Sequence, residues 1–163
     1  MSKKLIIILF FFSLNFFTSN SLSYENKILF KVDNEIITSV DILKEIQYLK
    51  SINKEFEKAS NEQALEISKK SLIKEKIKKI ELLKFIDEIK LDEDTSEKII
   101  ISYFSRLGIN SKKDFEIYFL NRDLDPGFVE NKIIIEVLWN QLIYAKFNSS
   151  VKIDEESIKK KII

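Results

Sequence analysis

Between Pro126 and Phe147 apolar residues come so densely that two helical stripes lie side by side. Phe128, Ile135, Leu138 and Leu142 form one at helical spacing, and Ile133, Val137, Tyr144 and Phe147 form the other. Asp125 is placed to cap such a helix and Pro126 to occupy its first turn; beyond Gly127 no glycine or proline interrupts it. A helix apolar over so much of its circumference requires cover on most sides. The rest of the chain reads as the elements that supply this cover. A third row along the same helix, Lys132, Glu136, Trp139, Ile143 and Lys146, sets large apolar groups among charges.

Upstream, residues 28–32 alternate and are rich in β-formers, Asp33-Asn34 is a turn signal, and residues 35–38 return as a second strand. A lone ribbon of this kind is marginal unless it packs on something. Ser39 is expected to cap a first helix with Ile42, Ile46 and Leu49 on its apolar side, followed by a polar link over 52–59. Ser60 and Gln63 have capping-box spacing and open the longest helical pattern, 61–89, in which Leu65, Leu72, Ile73, Ile77, Ile80, Leu83 and Ile86 recur. Asp94 and Glu97 are expected to cap a third helix that runs to Leu107 and stops at Gly108. Ser111 with Asp114 opens a fourth, 112–121, carrying Phe115 and Phe119, and residues 123–127 turn the chain into the central helix. The fold class expected is mainly α, a multi-helix domain with a short N-terminal β-ribbon.

The ends read differently. Residues 1–23 have the parts of a secretory signal: Lys3 and Lys4, an apolar run over 5–17 broken only by Ser13 and Asn15, and the small-x-small site Ser21-Leu22-Ser23. Cleavage between Ser23 and Tyr24 and export follow as expectations, since the run is shorter than the ~20 residues needed to span a bilayer. Residues 24–150 form one domain, and 151–163 read as the start of an unfinished linker or helix opening at Asp154.

Composition narrows the chemistry. The 163 residues are 45% hydrophobic and 33% charged with net charge +1, which is globular and gives no electrostatic footprint for nucleic acid. The chain contains no histidine and no cysteine, which removes Ser-His-Asp and Cys-His catalysis, thiol redox chemistry and zinc sites with the usual nitrogen or sulfur ligands. The lysine-dense stretch 69–79 is interrupted by Glu75 and reads as a solvated face. Asp92, Glu93, Asp94 and Glu97 lack the alternation and glycine of a calcium loop and read as helix-start charges. No catalytic residue, metal ligand or cofactor is assigned.

Several motifs carry a family resemblance. Residues 32–42 (Val-Asp-Asn-Glu-Ile-Ile-Thr-Ser-Val-Asp-Ile), residues 72–83 (Leu-Ile-Lys-Glu-Lys-Ile-Lys-Lys-Ile-Glu-Leu-Leu), and the units at Gly108, Phe115 and Asp125-Pro-Gly-Phe128 resemble the N-terminal domain of SurA-type periplasmic chaperones. The resemblance spans about 28–157 and includes the preceding signal. It implies an ATP-independent periplasmic chaperone that holds unfolded outer-membrane protein precursors. In that family parvulin-type peptidyl-prolyl isomerase domains follow, and their active sites use histidine. No isomerase activity is carried over to this chain. The family also returns a C-terminal segment to complete the domain's core, so a partner segment is a further expectation. Two other readings stay open: the N-terminal fragment of an isomerase, and a helical adaptor held at the membrane by an uncleaved 5–17 segment.

A surface that holds unfolded polypeptide needs apolar and aromatic groups bordered by polar ones. Trp139 and Ile143 are the first candidates, with Tyr103 and Tyr118 as a half-exposed aromatic rim beside Phe104 and Phe119. The alternatives are a tryptophan packed under the first helix or the ribbon, and tyrosines that merely edge the core.

Overall fold

The computed structural model describes residues 26–148. The expected signal, its Ser23–Tyr24 cleavage site and the helix start at Asp154 lie outside the described residues. Within them the fold is mainly helical, with one two-stranded antiparallel ribbon at the N-terminal side. None of the described helices is long and apolar enough to cross a membrane.

Strand β1 (Ile28–Val32) pairs with β2 (Glu35–Thr38) across Asp33 and Asn34, Asp33 taking a positive φ of 53° that aspartate tolerates better than most residues. The register matches Val32 with Glu35, Lys31 with Ile36 and Phe30 with Ile37; it shifts between Phe30 and Ile28, leaving Leu29 as the extra residue of a bulge. The ribbon is not left alone. Ile37 is fully buried against Ile42 and Leu72, with Phe30 and Val32 packed beside them.

Helix α1 (Ser39–Ile52) is capped by Thr38 and not by Ser39, which is its first helical residue. Thr38 leaves the strand in an extended conformation and accepts from the Asp41 N–H, while the Asp41 carboxylate accepts from the Thr38 N–H. The inward residues are Ile42, Glu45 and Tyr48; Ile46 and Leu49 are half-buried. The expected polar link holds a 3₁₀ turn over Lys54–Lys58 that buries Phe56, opened by the Asn53 side chain accepting from the Glu55 N–H.

Helix α2 (Asn61–Leu82) begins with both halves of the expected Ser60/Gln63 capping box. It ends at Leu82, not near 89, in tightened bonds from the Lys84 and Phe85 N–H groups to the carbonyls of Glu81 and Leu82. Helix α3 (Glu93–Phe104) is capped by Asp92, whose carboxylate accepts from the Thr95 N–H; Asp94 and Glu97 fall inside the helix. It passes through a 3₁₀ turn, Ser105–Leu107, and stops at Gly108, whose φ of 79° is the left-handed conformation a glycine stop provides. Helix α4 (Lys112–Leu120) is capped by Ser111, and α5 (Pro126–Phe147) by Asp125 with Pro126 in its first turn.

The main core gathers Tyr48, Ile100, Phe104, Ile109, Phe115, Phe119, Leu124, Val129 and Ile133 from α1, α3, α4, the connections on either side of α4 and the first half of α5. Phe104, Phe115 and Phe119 pack as a triangle of rings with centroids 5.0 to 5.7 Å apart. Burial of each such ring contributes about 1.5–3 kcal/mol before the cost of ordering it.

Helices α2 and α5 run parallel. Glu75 bonds Lys132, Lys78 bonds Glu136, and the Lys146 ammonium lies 5.2 Å from the centre of the Phe85 ring, so both chains advance together. By this register α2 stops about level with Trp139. The beginning of α5 is enclosed, with Val129 and residues 132–135 buried. Its end is not, which corrects the expectation of a helix covered on most sides along its length.

Candidate polypeptide-binding surface

The uncovered end of α5 is where the large apolar groups meet solvent. Ile143 is 36%, Tyr144 68% and Phe147 47% exposed; Phe85, on the loop that follows α2, is 56% exposed and Leu83 beside it is exposed too. Residues three and four apart share a helix face, so Ile143, Tyr144 and Phe147 are neighbours. Lys146 over Phe85 ties the loop to the same end of α5. The result is an apolar and aromatic patch with lysines at its border, made because one helix outruns its partner.

Trp139 sits at the edge of this patch and is half-buried. One turn earlier, Glu136 and Ile135 line a cavity of about 370 Å³ together with Tyr48, Tyr103 and Lys132. Tyr103 is half-exposed, with its ring edge-on to Phe104 at 5.9 Å. Partial burial, and secondarily the Glu136 carboxylate, hold its hydroxyl above the usual tyrosine pKa, so it is a neutral donor at physiological pH.

Tyr118 belongs to a different place. Its hydroxyl donates to the Ser51 carbonyl at 2.6 Å, and the Arg122 guanidinium lies over its ring at 3.6 Å. Tyr103 and Tyr118 are the two ends of one row of edge-packed rings running through Phe104 and Phe119. The structure therefore brings Ile143 to the exposed end of α5, sets Trp139 at its edge, and puts Tyr103 at the neighbouring cavity. It sets Tyr118 apart against α1.

Lys132, read from the sequence as a charge in the Trp139 row, is instead buried. Its ammonium is 2.6 Å from Glu45 Oε2 and bonds Glu75 as well, above the rings of Tyr48 and Phe128 at 5.1 and 5.3 Å. Glu45 is fully buried, and its Oε1 has no hydrogen-bond partner among the described residues. Burial, reinforced by Glu45, pushes the Tyr48 hydroxyl well above the ordinary tyrosine value. Glu45 gave no signal in the sequence beyond standing three residues from Ile42 and from Tyr48, a position any solvated glutamate can hold.

The lysine-dense part of α2 is partly consumed by other elements. Lys76 and Lys79 both bond Glu35 of the ribbon, at 2.9 and 2.7 Å, and Lys78 bonds Glu136. The Lys79 and Lys76 hydrogen bonds hold the Glu35 carboxyl below its ordinary pKa. Among the described residues no group of three or more acidic, histidine or cysteine side chains is arranged to hold a metal ion.

The fold and the surface together define a helical domain with an apolar, aromatic face and a ribbon pinned to one side. Comparison with family models, with curated proteins and with solved structures returns no match to this chain.

Proposed function

We propose that this protein is an ATP-independent periplasmic chaperone that holds unfolded outer-membrane protein precursors by apolar contact and performs no catalytic step. The observation that carries the reading is the exposed group of Phe85, Ile143, Tyr144 and Phe147, which offers a non-directional surface to many sequences. Trp139 borders it, and Tyr103 lines the neighbouring cavity, where its hydroxyl can meet a client's backbone. Lysines at the border, including Lys146, keep such a surface soluble without closing it around one ligand. The motifs shared with SurA-type chaperones and the signal-like first residues support the same client class and the same compartment.

The test is light scattering from an unfolded porin diluted into buffer without ATP, with and without the purified protein. Suppression at near-stoichiometric amounts is expected, and the double variant Tyr144→Ser/Phe147→Ser should lose most of it while melting within a few degrees of the parent. Full suppression by that folded variant would remove the patch from the account.

A further inference from the structure

The cavity of about 370 Å³ is lined from α1, α2, α3 and α5, and its volume falls within the roughly 300–1,000 Å³ of small-ligand sites. Leu49 and Ile52 of α1 with Ile133 and Ile135 of α5 give it apolar walls. The charge of both lining carboxylates is matched, since Glu75 bonds Lys132 and Glu136 bonds Lys78. Lys132 is shared with Glu45, which is fully buried and outside the lining. Four donors remain. The hydroxyls of Tyr48, Tyr103 and Ser71 and the Lys74 ammonium line the cavity and have no hydrogen-bond or ion-pair partner among the described residues. Ser71 and Lys74 stand three apart on α2 and so share a face. Tyr48 is buried, and a buried phenol ordinarily finds an acceptor; the cavity it lines is where one can sit. Burial first, then Glu45 and Tyr103, keep the Tyr48 hydroxyl protonated, and burial does the same for Tyr103, so both are donors at neutral pH.

We propose that this cavity binds a small amphiphilic carboxylate, its apolar body against the Leu49, Ile52, Ile133 and Ile135 walls and its carboxylate among Tyr48, Tyr103, Ser71 and Lys74. An ionised carboxylate only accepts, with two oxygens and about four lone-pair sites, so it takes up the unspent donors and brings none of its own. Its single negative charge answers the one lining lysine that has no opposite. A phosphate monoester brings nearly two charges to that one ammonium, and an alcohol leaves it unanswered while adding a donor where donors are already in excess. The site does not depend on the chaperone reading, because Phe85, Ile143, Tyr144 and Phe147 contribute nothing to its lining. Two sources carry this chemistry: a free aliphatic acid, and the C-terminus of a polypeptide whose last side chain is apolar.

Isothermal titration of the purified protein with octanoate, and with octanol as the uncharged control, tests it. Saturable one-to-one binding of octanoate is expected, at least tenfold tighter than that of octanol. Lys74→Met, at an exposed position, should weaken octanoate at least fivefold and leave octanol within about twofold, because it removes the charge and keeps the stem. Tyr48→Phe, which removes only a hydroxyl, should weaken octanoate severalfold. Octanol binding as tightly as octanoate would overturn the proposal, as would octanoate binding that neither variant changes, or no binding of millimolar octanoate by the folded protein. A short apolar peptide with a free C-terminal carboxylate that displaces octanoate, while its C-terminal amide does not, would support the site and assign the carboxylate to a polypeptide end. Displacement by neither peptide would assign it to a free acid; equal displacement by both would overturn the role given to the carboxylate. Tyr144→Ser/Phe147→Ser should bind octanoate as the parent does, and loss of binding in that variant would move the ligand to the patch and overturn the proposal. Lys74→Met should still suppress porin aggregation, so the two readings fail separately.

Discussion

One ammonium group, that of Lys132, serves two carboxylates where α1, α2 and α5 meet. Taking an ion pair out of water costs much of what its attraction returns, but removing one member leaves a buried charge with nothing opposite it. Lys132→Met should therefore destabilise the protein by about 3–5 kcal/mol in denaturant titration. Adding Glu45→Leu to that variant should recover a good part of the loss, and a double variant as unstable as the single would contradict the assignment. Glu35 makes a weaker, pH-dependent contribution. Its folded pKa is lowered, so the stability it adds is complete above the ordinary carboxylate range and is lost as pH falls through the folded value. Glu35→Gln should cost about 1 kcal/mol at neutral pH, with the gap closing in acid, as thermal melts across that range would show.

Helix ends were the most legible elements, because caps are local chemistry. Ser60 with Gln63, Ser111, Asp125 with Pro126, and the Gly108 stop all stand where the sequence predicts them. Gly108 has open space around its Cα, so Gly108→Ala should cost about 1 kcal/mol through its positive φ alone. The first and third helices start a residue or two earlier than expected because Thr38, completed by Asp41 in a capping box, and Asp92 are competent caps lying just upstream of Ser39 and Asp94. The end of α2 was not legible: Leu83 and Ile86 continue the apolar period, and periodicity carries no information about which turns find a partner. The same limit hid Glu45 and Lys132, whose burial depends on three helices meeting, and it hid the bareness of the last turns of α5. That helix's sequence is apolar nearly all round, and only the early end of α2 decides which half stays uncovered.

At the scale of the whole molecule, a core in one half of α5 and a bare apolar end in the other give a rigid scaffold beside an adaptable surface. The core residues hold the shape, and the groups beyond Trp139 contribute little to it. Substitutions at Tyr144 and Phe147 should accordingly separate folding from binding, whereas substitution of Phe119, fully buried among rings, by alanine should cost about 3–5 kcal/mol and abolish both together. The most direct measurement is suppression of unfolded porin aggregation without ATP by the purified protein, alongside Trp139→Ala. Strong suppression by the parent, and at least a severalfold weaker effect from the still-folded variant, is the predicted result. No suppression by a folded parent would contradict the account.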